Sequence, residues 1–208
     1  LNIVALRVVK RYREMSLVPE VDAAIDDIVN ESISSNDLDA PIAINLDNVK
    51  NVGDETKKKI RQEFDEILKL LAYKTLSHDI FRKWYIDGRL PYHVIINDSN
   101  PKAGIKELRY IDPIQLRKVK EVEEKQDPKT GAKIITKQEE YFLFQSNKMN
   151  TAEQGIKIHP DAIIYCTSGM LDAGRKRILS YLHKAIKPVN QLRMMEDSLV
   201  IYRISRAP

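Results

Sequence analysis

The stretch from Ser77 to Asp112 constrains the fold more than any other part of the chain. Its first part carries apolar residues at helical spacing behind a serine suited to an N-cap, and Gly88 stands where a helix commonly ends. Leu90 to Ile96 is a β-branched and aromatic run of strand length. The turn-forming segment Asn97 to Gly104 leads into a second strand. The order helix, strand, turn, strand predicts an α+β fold organised around this unit.

Further helices are predicted before the central unit. Apolar residues at helical spacing predict one helix that ends at Met15 and another that begins at Pro19, a residue suited to the first helical position. Ile42 to Leu46 alternates as a half-buried strand does. A third helix is expected after Gly53. Its predicted buried face consists of Ile60, Phe64, Ile67, Leu68 and Leu71. Lys57 to Lys59 on this helix suit either a basic patch for phosphate or a solvated face, and we favour the solvated face.

After the central unit, a charged β-hairpin is predicted over residues 116–145, with its turn at Asp127 to Gly131. Charges on much of both faces indicate a hairpin that projects into solvent or against a partner. A short strand is expected at Ile163 to Cys166, and its cysteine is interpreted as an inert core residue. From Arg175 onward the apolar spacing predicts helix, which Pro188 should kink or restart.

Composition narrows the classes of function. The formal charge is +4, with 34 basic against 30 acidic residues, which permits a nucleic-acid partner without requiring one. A single cysteine excludes an internal disulfide, and no apolar run reaches the about 20 residues of a membrane span. The chain begins without Met within an apolar pattern, so we read it as a segment of a longer protein.

Motifs for catalysis or cofactor binding are not found in the sequence. It has neither a phosphate-binding loop ending in Gly-Lys-Ser/Thr nor a dinucleotide-binding glycine pattern. The four histidines lack the spacing of metal ligands. We therefore predict no catalytic residue, cofactor or metal.

Basic residues are densest near the start of the C-terminal region. The cluster consists of Arg175, Lys176, Arg177, Lys184, Lys187 and Arg193. It suits DNA phosphates, an acidic partner or simply a solvated helix face, and the sequence leaves these alternatives open.

The helix after Pro188 has an unusually apolar surface. One seam along it consists of Leu192, Met195, Leu199 and Tyr202. Val200, Ile201 and Ile204 add apolar surface on other faces, so the last turns should be buried on more than one side. The helix is expected to end by about Arg206, because the residue before Pro208 is disfavoured in helical geometry.

Several runs of the sequence resemble one known family. These are Asp79–Arg89 (DIFRKWYIDGR), Asn100–Asp112 (NPKAGIKELRYID), Pro188–Pro208 (PVNQLRMMEDSLVIYRISRAP), Met15–Ala24 (MSLVPEVDAA) and the Leu46–Asn48 segment. Together they resemble the portal vertex protein, or head-to-tail connector, of T-even-like tailed phages and cyanophages. The resemblance covers essentially the whole chain.

The resemblance implies a fold and a domain organisation. The fold would be a wing-type α+β domain, with helices packed on a small, mostly antiparallel sheet, ending in a long helix. Residues 1–187 would form part of the wing, and residues 188–208 would lead toward the stem. The clip and crown of the family would lie outside this chain.

The resemblance also implies a structural function without catalysis. The subunit would form a dodecameric ring at one capsid vertex, through which double-stranded DNA is packaged and ejected. ATP hydrolysis would belong to the terminase. The terminase, the major capsid protein and the neck proteins would be partners, and the protein would be assembled in the host cytoplasm and reside in the virion.

In such a ring a neighbouring subunit would cover the last helix. The predicted interface residues are Leu199, Ile201, Tyr202 and Ile204. The alternative for Ile201 is a place in the core of its own subunit. Two other functions remain open from the residues alone: a basic nucleic-acid-binding module, and a small enzyme that uses His93 near Asp112. A closed ring would distinguish a portal from the binding module, which should be a monomer or dimer.

Overall fold

A computed structural model describes residues 3–33, 42–49, 52–126, 133–145, 155–175 and 177–206. The fold is α+β, as predicted, with antiparallel strand pairs and a long helix near the C-terminus. The helices are α1 (Ile3–Met15), α2 (Pro19–Ser32), α3 (Asp54–Leu70), α4 (Tyr73–Asp87) and α5 (Ile186–Arg206). The strands are β1 (Arg89–Ile96), β2 (Ile105–Tyr110), β3 (Leu116–Gln126), β4 (Lys133–Phe144), β5 (Ile156–Ile158) and β6 (Ile163–Thr167).

The chain forms two compact units. The first comprises residues 1–65, 72–89 and 167–208, and the second comprises residues 66–71 and 90–166. The first unit is built from helices: α4 packs against α1 and α2, and α1 also contacts α5. Its core is formed by Tyr12, Met15, Val18, Ile25, Val29, Ile86, Leu182 and Val189. The helices α1, α2, α4 and α5 therefore each contribute residues to one apolar cluster.

The second unit contains two three-stranded sheets, with strand orders β2-β1-β6 and β3-β4-β5. In the first sheet Tyr92 lies opposite Tyr110. In the second, β3 and β4 pair over their full described length with a bulge at Glu123/Glu124. Its core consists of Ile111, Leu116, Phe142 and Ile163. The predicted hairpin is confirmed on both strands, while its expected turn at residues 127–131 lies outside the described residues.

Several predicted elements match the structure. Strand β1 confirms the run from Leu90 to Ile96, and α2 begins at Pro19 as expected. Gly88 ends α4 with a φ of 69°, in the left-handed region that favours glycine. Helix α5 begins two residues before Pro188, which confirms the restart. It continues to Arg206, the last described residue, so the expected end of the helix stays a prediction.

Three predictions about local structure are wrong. Ser77 is not an N-cap, because α4 already begins at Tyr73 and Ser77 is buried in its interior. Residues 42–46 form no strand, since neither sheet offers them a partner strand. The chain is not helical directly after Arg175, because an isolated bridge joins Leu171 to Ile178 and helical structure resumes only at residue 181.

Two burial predictions are also wrong. Helix α3 has no buried residue, and Ile60 and Ile67 of its apolar stripe are more than one-third exposed. Cys166 is exposed instead of lying in the core, and Ile163 is the only buried residue of β6. Lys58 and Lys59 are exposed and Lys57 is half-buried, in agreement with a largely solvated face.

Candidate functional site

The densest group of exposed large apolar side chains among the described residues lies on α5. Only Val189, near the start of this helix, is buried. Leu192 is half-buried. The large apolar side chains after it are each more than half exposed: Met194, Met195, Leu199, Val200, Ile201, Tyr202 and Ile204. Ile201 is 67% exposed, so it does not lie in a core formed by these residues. Contiguous exposed apolar side chains of this kind are typical of interaction surfaces.

One side of α5 forms a shallow apolar groove. Its lining residues are Met194, Met195, Ser198, Leu199 and Tyr202. The Ser198 hydroxyl donates to the Met194 carbonyl oxygen at 2.7 Å, so this polar group is satisfied within the helix. The Arg206 guanidinium lies 4.4 Å from the centre of the Tyr202 ring. The groove therefore offers flexible methionine and aromatic surface, with a positive charge at its C-terminal end.

The start of α5 is fixed to the first unit through the 3-10 helix Tyr181–Ala185, which immediately precedes α5. The Tyr12 hydroxyl lies 2.8 Å from His183 Nδ1. Burial raises the pKa of Tyr12, while a hydrogen bond from the Ser180 backbone and the charge of Arg89 act in the opposite direction. The hydroxyl thus stays protonated at neutral pH and is available for this hydrogen bond.

Ser180 caps the same 3-10 helix from a fully buried position. Its hydroxyl accepts a hydrogen bond from the Leu182 amide at 3.0 Å and donates to the Tyr85 carbonyl oxygen at 2.9 Å. One side chain therefore ties the C-terminal part of α4 to the turn that leads into α5. Leu182 itself lies in the core. The base of α5 is thereby held rigidly, whereas its apolar surface remains open.

The tripeptide Asp87-Gly88-Arg89 forms a second anchor. Arg13 donates two hydrogen bonds to the Asp87 carboxylate, at 2.9 and 2.7 Å, and the aspartate side chain is only 3% exposed. The Ser168 amide donates to the Gly88 carbonyl oxygen at 2.9 Å. Arg89 donates to the Ile178 carbonyl oxygen at 2.8 Å. Three successive residues thus bind α1 and the segment before α5 to the end of α4.

Sequence reasoning missed these anchors. A signal was available for one of them, because an acidic residue in the last turn of a helix opposes the helix dipole and needs a basic partner. Asp87 occupies such a position. Its partner Arg13 lies 74 residues away, and Tyr12 lies 171 residues from His183. No local pattern predicts contacts over such separations.

The structure places five of the six predicted basic residues, and these five lie on different elements. Arg175 and Arg177 lie in the loop before the 3-10 helix, Lys184 lies within that helix, and Lys187 and Arg193 lie on α5. Lys176 lies outside the described residues. Arg177 is 3.6 Å from the Asp172 carboxylate, which partly neutralises it. Six residues separate the two α5 cations, so they lie about 120° apart around the helix.

The two residues considered for an enzyme, His93 and Asp112, lie in the second unit. His93 lies opposite Arg109 in the β1–β2 pair. The Asp112 carboxylate accepts a hydrogen bond from the Ile114 amide at 2.9 Å, as in a turn. Among the described ranges, no group of three or more His, Cys, Asp or Glu residues could hold a metal ion. No described helix is long and apolar enough to cross a bilayer.

An open apolar surface on an anchored helix is a feature typical of proteins that assemble with other chains. A family model described as bacteriophage T4-like portal protein (Gp20) matches residues 5–208. The chain therefore belongs to the T4-like portal protein family, and the resemblance noted in the sequence is confirmed.

Two curated relatives are described as portal proteins. The chain is 36% identical to the portal protein of Vibrio phage KVP40, over 96% of its own length and 40% of the relative's. It is 32% identical to the portal protein of Salmonella phage ViI, over 97% of its own length and 38% of the relative's. The chain thus spans about two-fifths of the length of these relatives.

Proposed function

We propose that this chain is part of a portal subunit, one of the copies that form a closed, dodecameric ring at a capsid vertex. The observation that carries the proposal is the uncovered apolar surface of α5 in a member of the portal family. Residues 1–187 contribute to the wing and residues 188–208 lead toward the stem. The chain's role is structural and requires neither a catalytic residue nor a cofactor.

The shape of the exposed surface supports assembly into a ring. Leu199 and Tyr202 belong to one side of α5, while Ile201 and Ile204 lie on other sides, because the helix turns about 100° per residue. In a closed ring of identical subunits, each copy has one neighbour on either side. Two neighbours can therefore cover two faces of α5. Complete burial contributes about 1.5–3 kcal/mol per large apolar side chain.

The remaining partners follow from this role. Viral double-stranded DNA passes through the ring during packaging and ejection, and the terminase, the major capsid protein and the neck proteins dock on it. The subunit is assembled in the host cytoplasm and resides in the virion.

Contact between DNA and the basic residues is expected to be loose. A ring multiplies each phosphate contact by its symmetry, so a strongly basic surface would hold DNA fast instead of letting it slide. Such weak contact is consistent with basic residues that are spread over a loop, the 3-10 helix and α5. These residues are Arg175, Arg177, Lys184, Lys187 and Arg193. Binding of duplex DNA should accordingly be weak and should fall steeply as the salt concentration rises.

The substitution Ile201→Asp in the full-length protein tests the assembly proposal. A carboxylate at this exposed position leaves the isolated subunit intact, but a neighbouring copy would have to bury its charge. We expect sedimentation velocity to show loss of rings, while circular dichroism of the same sample shows unchanged helicity.

Asn190→Asp is the matched control, because it places the same charge on an exposed polar position of the same helix. Rings should persist in this variant. Intact rings with Ile201→Asp, or loss of helicity together with the rings, would contradict the proposed interface.

A further inference from the structure

Helix α3 is a second amphipathic surface that the chain leaves uncovered. Its seam residues Ile60, Phe64 and Ile67 are spaced by four and then three residues, which places them along one side of the helix. None of them is buried. An amphipathic helix without a buried residue has not yet contributed its apolar side to a core.

The groove side of α5 repeats this spacing. Met195, Leu199 and Tyr202 are also spaced by four and then three residues, and each is more than half exposed. Two helices with the same 4–3 spacing can interlock their seams side by side, as in a coiled coil. Aligned in parallel, Phe64 of α3 would lie against Leu199 of α5.

Charged residues flank the two seams, and their signs follow each other in opposite order along the two helices. On α3, Lys59 is followed one turn later by Glu63 on the same flank. On α5, Glu196 is followed two turns later by Arg203 on the same flank. All four side chains are exposed. In a parallel pair the cation of α3 meets the anion of α5 and the anion of α3 meets the cation of α5. In an antiparallel pair these two flanks would lie on opposite sides of the seam, so the four charges would not meet.

We propose that the seam of α3 in one copy docks in parallel on the groove side of α5 in a neighbouring copy. The inference rests on the proposed ring and deepens it by naming the partner surface. Such a contact uses two different surfaces, so it is heterologous and can continue from copy to copy until a ring closes. Ile201 lies on the side of α5 away from this seam and remains available to other contacts.

Charge reversal tests the pairing in the full-length protein. Lys59→Glu or Glu196→Lys alone should raise the protein concentration needed for half-maximal ring assembly about tenfold, because like charges would face each other. Combining the two substitutions should restore assembly. Lys58→Glu and Asp197→Lys are matched controls, since each changes a neighbouring charge that points away from the seam, and both should assemble normally.

A disulfide trap identifies which chain supplies the partner helix. In a Cys166→Ser background, Phe64→Cys and Leu199→Cys are combined and oxidised under assembly conditions. Cross-linked ladders on a non-reducing gel, absent from either single-cysteine variant, are expected for a contact between copies. An oxidised product that remains monomeric would place the contact within one chain and overturn the inference, as would the absence of any cross-link.

Failure of this inference can be told apart from failure of the ring. If Lys59→Glu and Glu196→Lys assemble normally while Ile201→Asp still abolishes rings, the α3–α5 pairing is wrong and the proposed function stands. If the unsubstituted protein forms no rings at all, the proposed function itself fails.

Discussion

Replacing Gly88 with alanine tests how the end of α4 is held in the first unit. The glycine has a φ of 69°, and a Cβ at this position would lie 2.6 Å from the Leu179 carbonyl oxygen and 2.9 Å from the Ser180 Cα. Both neighbours are backbone atoms, so no flexible side chain can move aside. The segment is also held by the hydrogen bond from the Leu179 amide to the Met170 carbonyl oxygen at 2.8 Å.

The magnitude has two parts. A left-handed backbone costs an alanine about 1–2 kcal/mol. Forcing a methyl group into a filled space costs about 1–3 kcal/mol more. Gly169 provides the control, because it has a φ of 75° but no atom within 4 Å of a built Cβ. Gly169→Ala should therefore cost only the backbone part.

The assay is urea unfolding followed by circular dichroism. With a denaturant dependence of about 2 kcal/mol per molar urea, Gly88→Ala should unfold at a midpoint about 0.5–1.5 M below that of Gly169→Ala. Equal midpoints for the two variants would refute the reasoning, since the close approach of Leu179 and Ser180 would then carry no energetic consequence.

Further predictions concern the anchors and the charged hairpin. Arg13→Ala should lower the free energy of unfolding by about 3 kcal/mol, because it leaves the buried Asp87 carboxylate without its guanidinium; urea unfolding measures this. Tyr12→Phe removes one hydrogen bond and should cost about 1 kcal/mol in the same assay, with a loss above 3 kcal/mol arguing against a local role. The hydrogen bond from Lys118 lowers the pKa of Glu140, so its stabilising contribution is present above the ordinary carboxyl pKa and lost as pH falls through the lowered value. An NMR titration should show this lowered pKa moving up in Lys118→Ala, and an unchanged pKa would contradict the pairing.

Local signals predicted much of the secondary structure. Gly88 could be placed because a left-handed helix end favours glycine, and β1 could be placed because its residues suit a buried strand. The break between α3 and α4 could not be placed from the sequence. It lies at Ala72, which has a φ of 46° without a glycine or proline to signal it. The expected start of α4 at Ser77 was wrong for that reason.

Burial was harder to predict than helicity. The apolar stripe of α3 correctly predicts a helix, but spacing alone does not say whether anything in the same chain covers it. The exposed surface of α5 was indicated more clearly by the sequence. Apolar residues such as Ile201 and Ile204 lie on several sides of this helix, and a single packing face can bury only one side. The contacts that fix the base of α5 depend on residues distant in sequence, such as Tyr12 and His183, and only the folded chain brings them together.

The mass of the particle formed by the full-length protein tests the central claim most directly. Native mass spectrometry at near-physiological salt measures the number of copies without assuming a shape. The proposed function predicts a single closed species of twelve copies, as the portal family implies, that falls to subunits in Ile201→Asp. A wild-type protein that remains a monomer or dimer at all concentrations would contradict the account and favour the nucleic-acid-binding alternative.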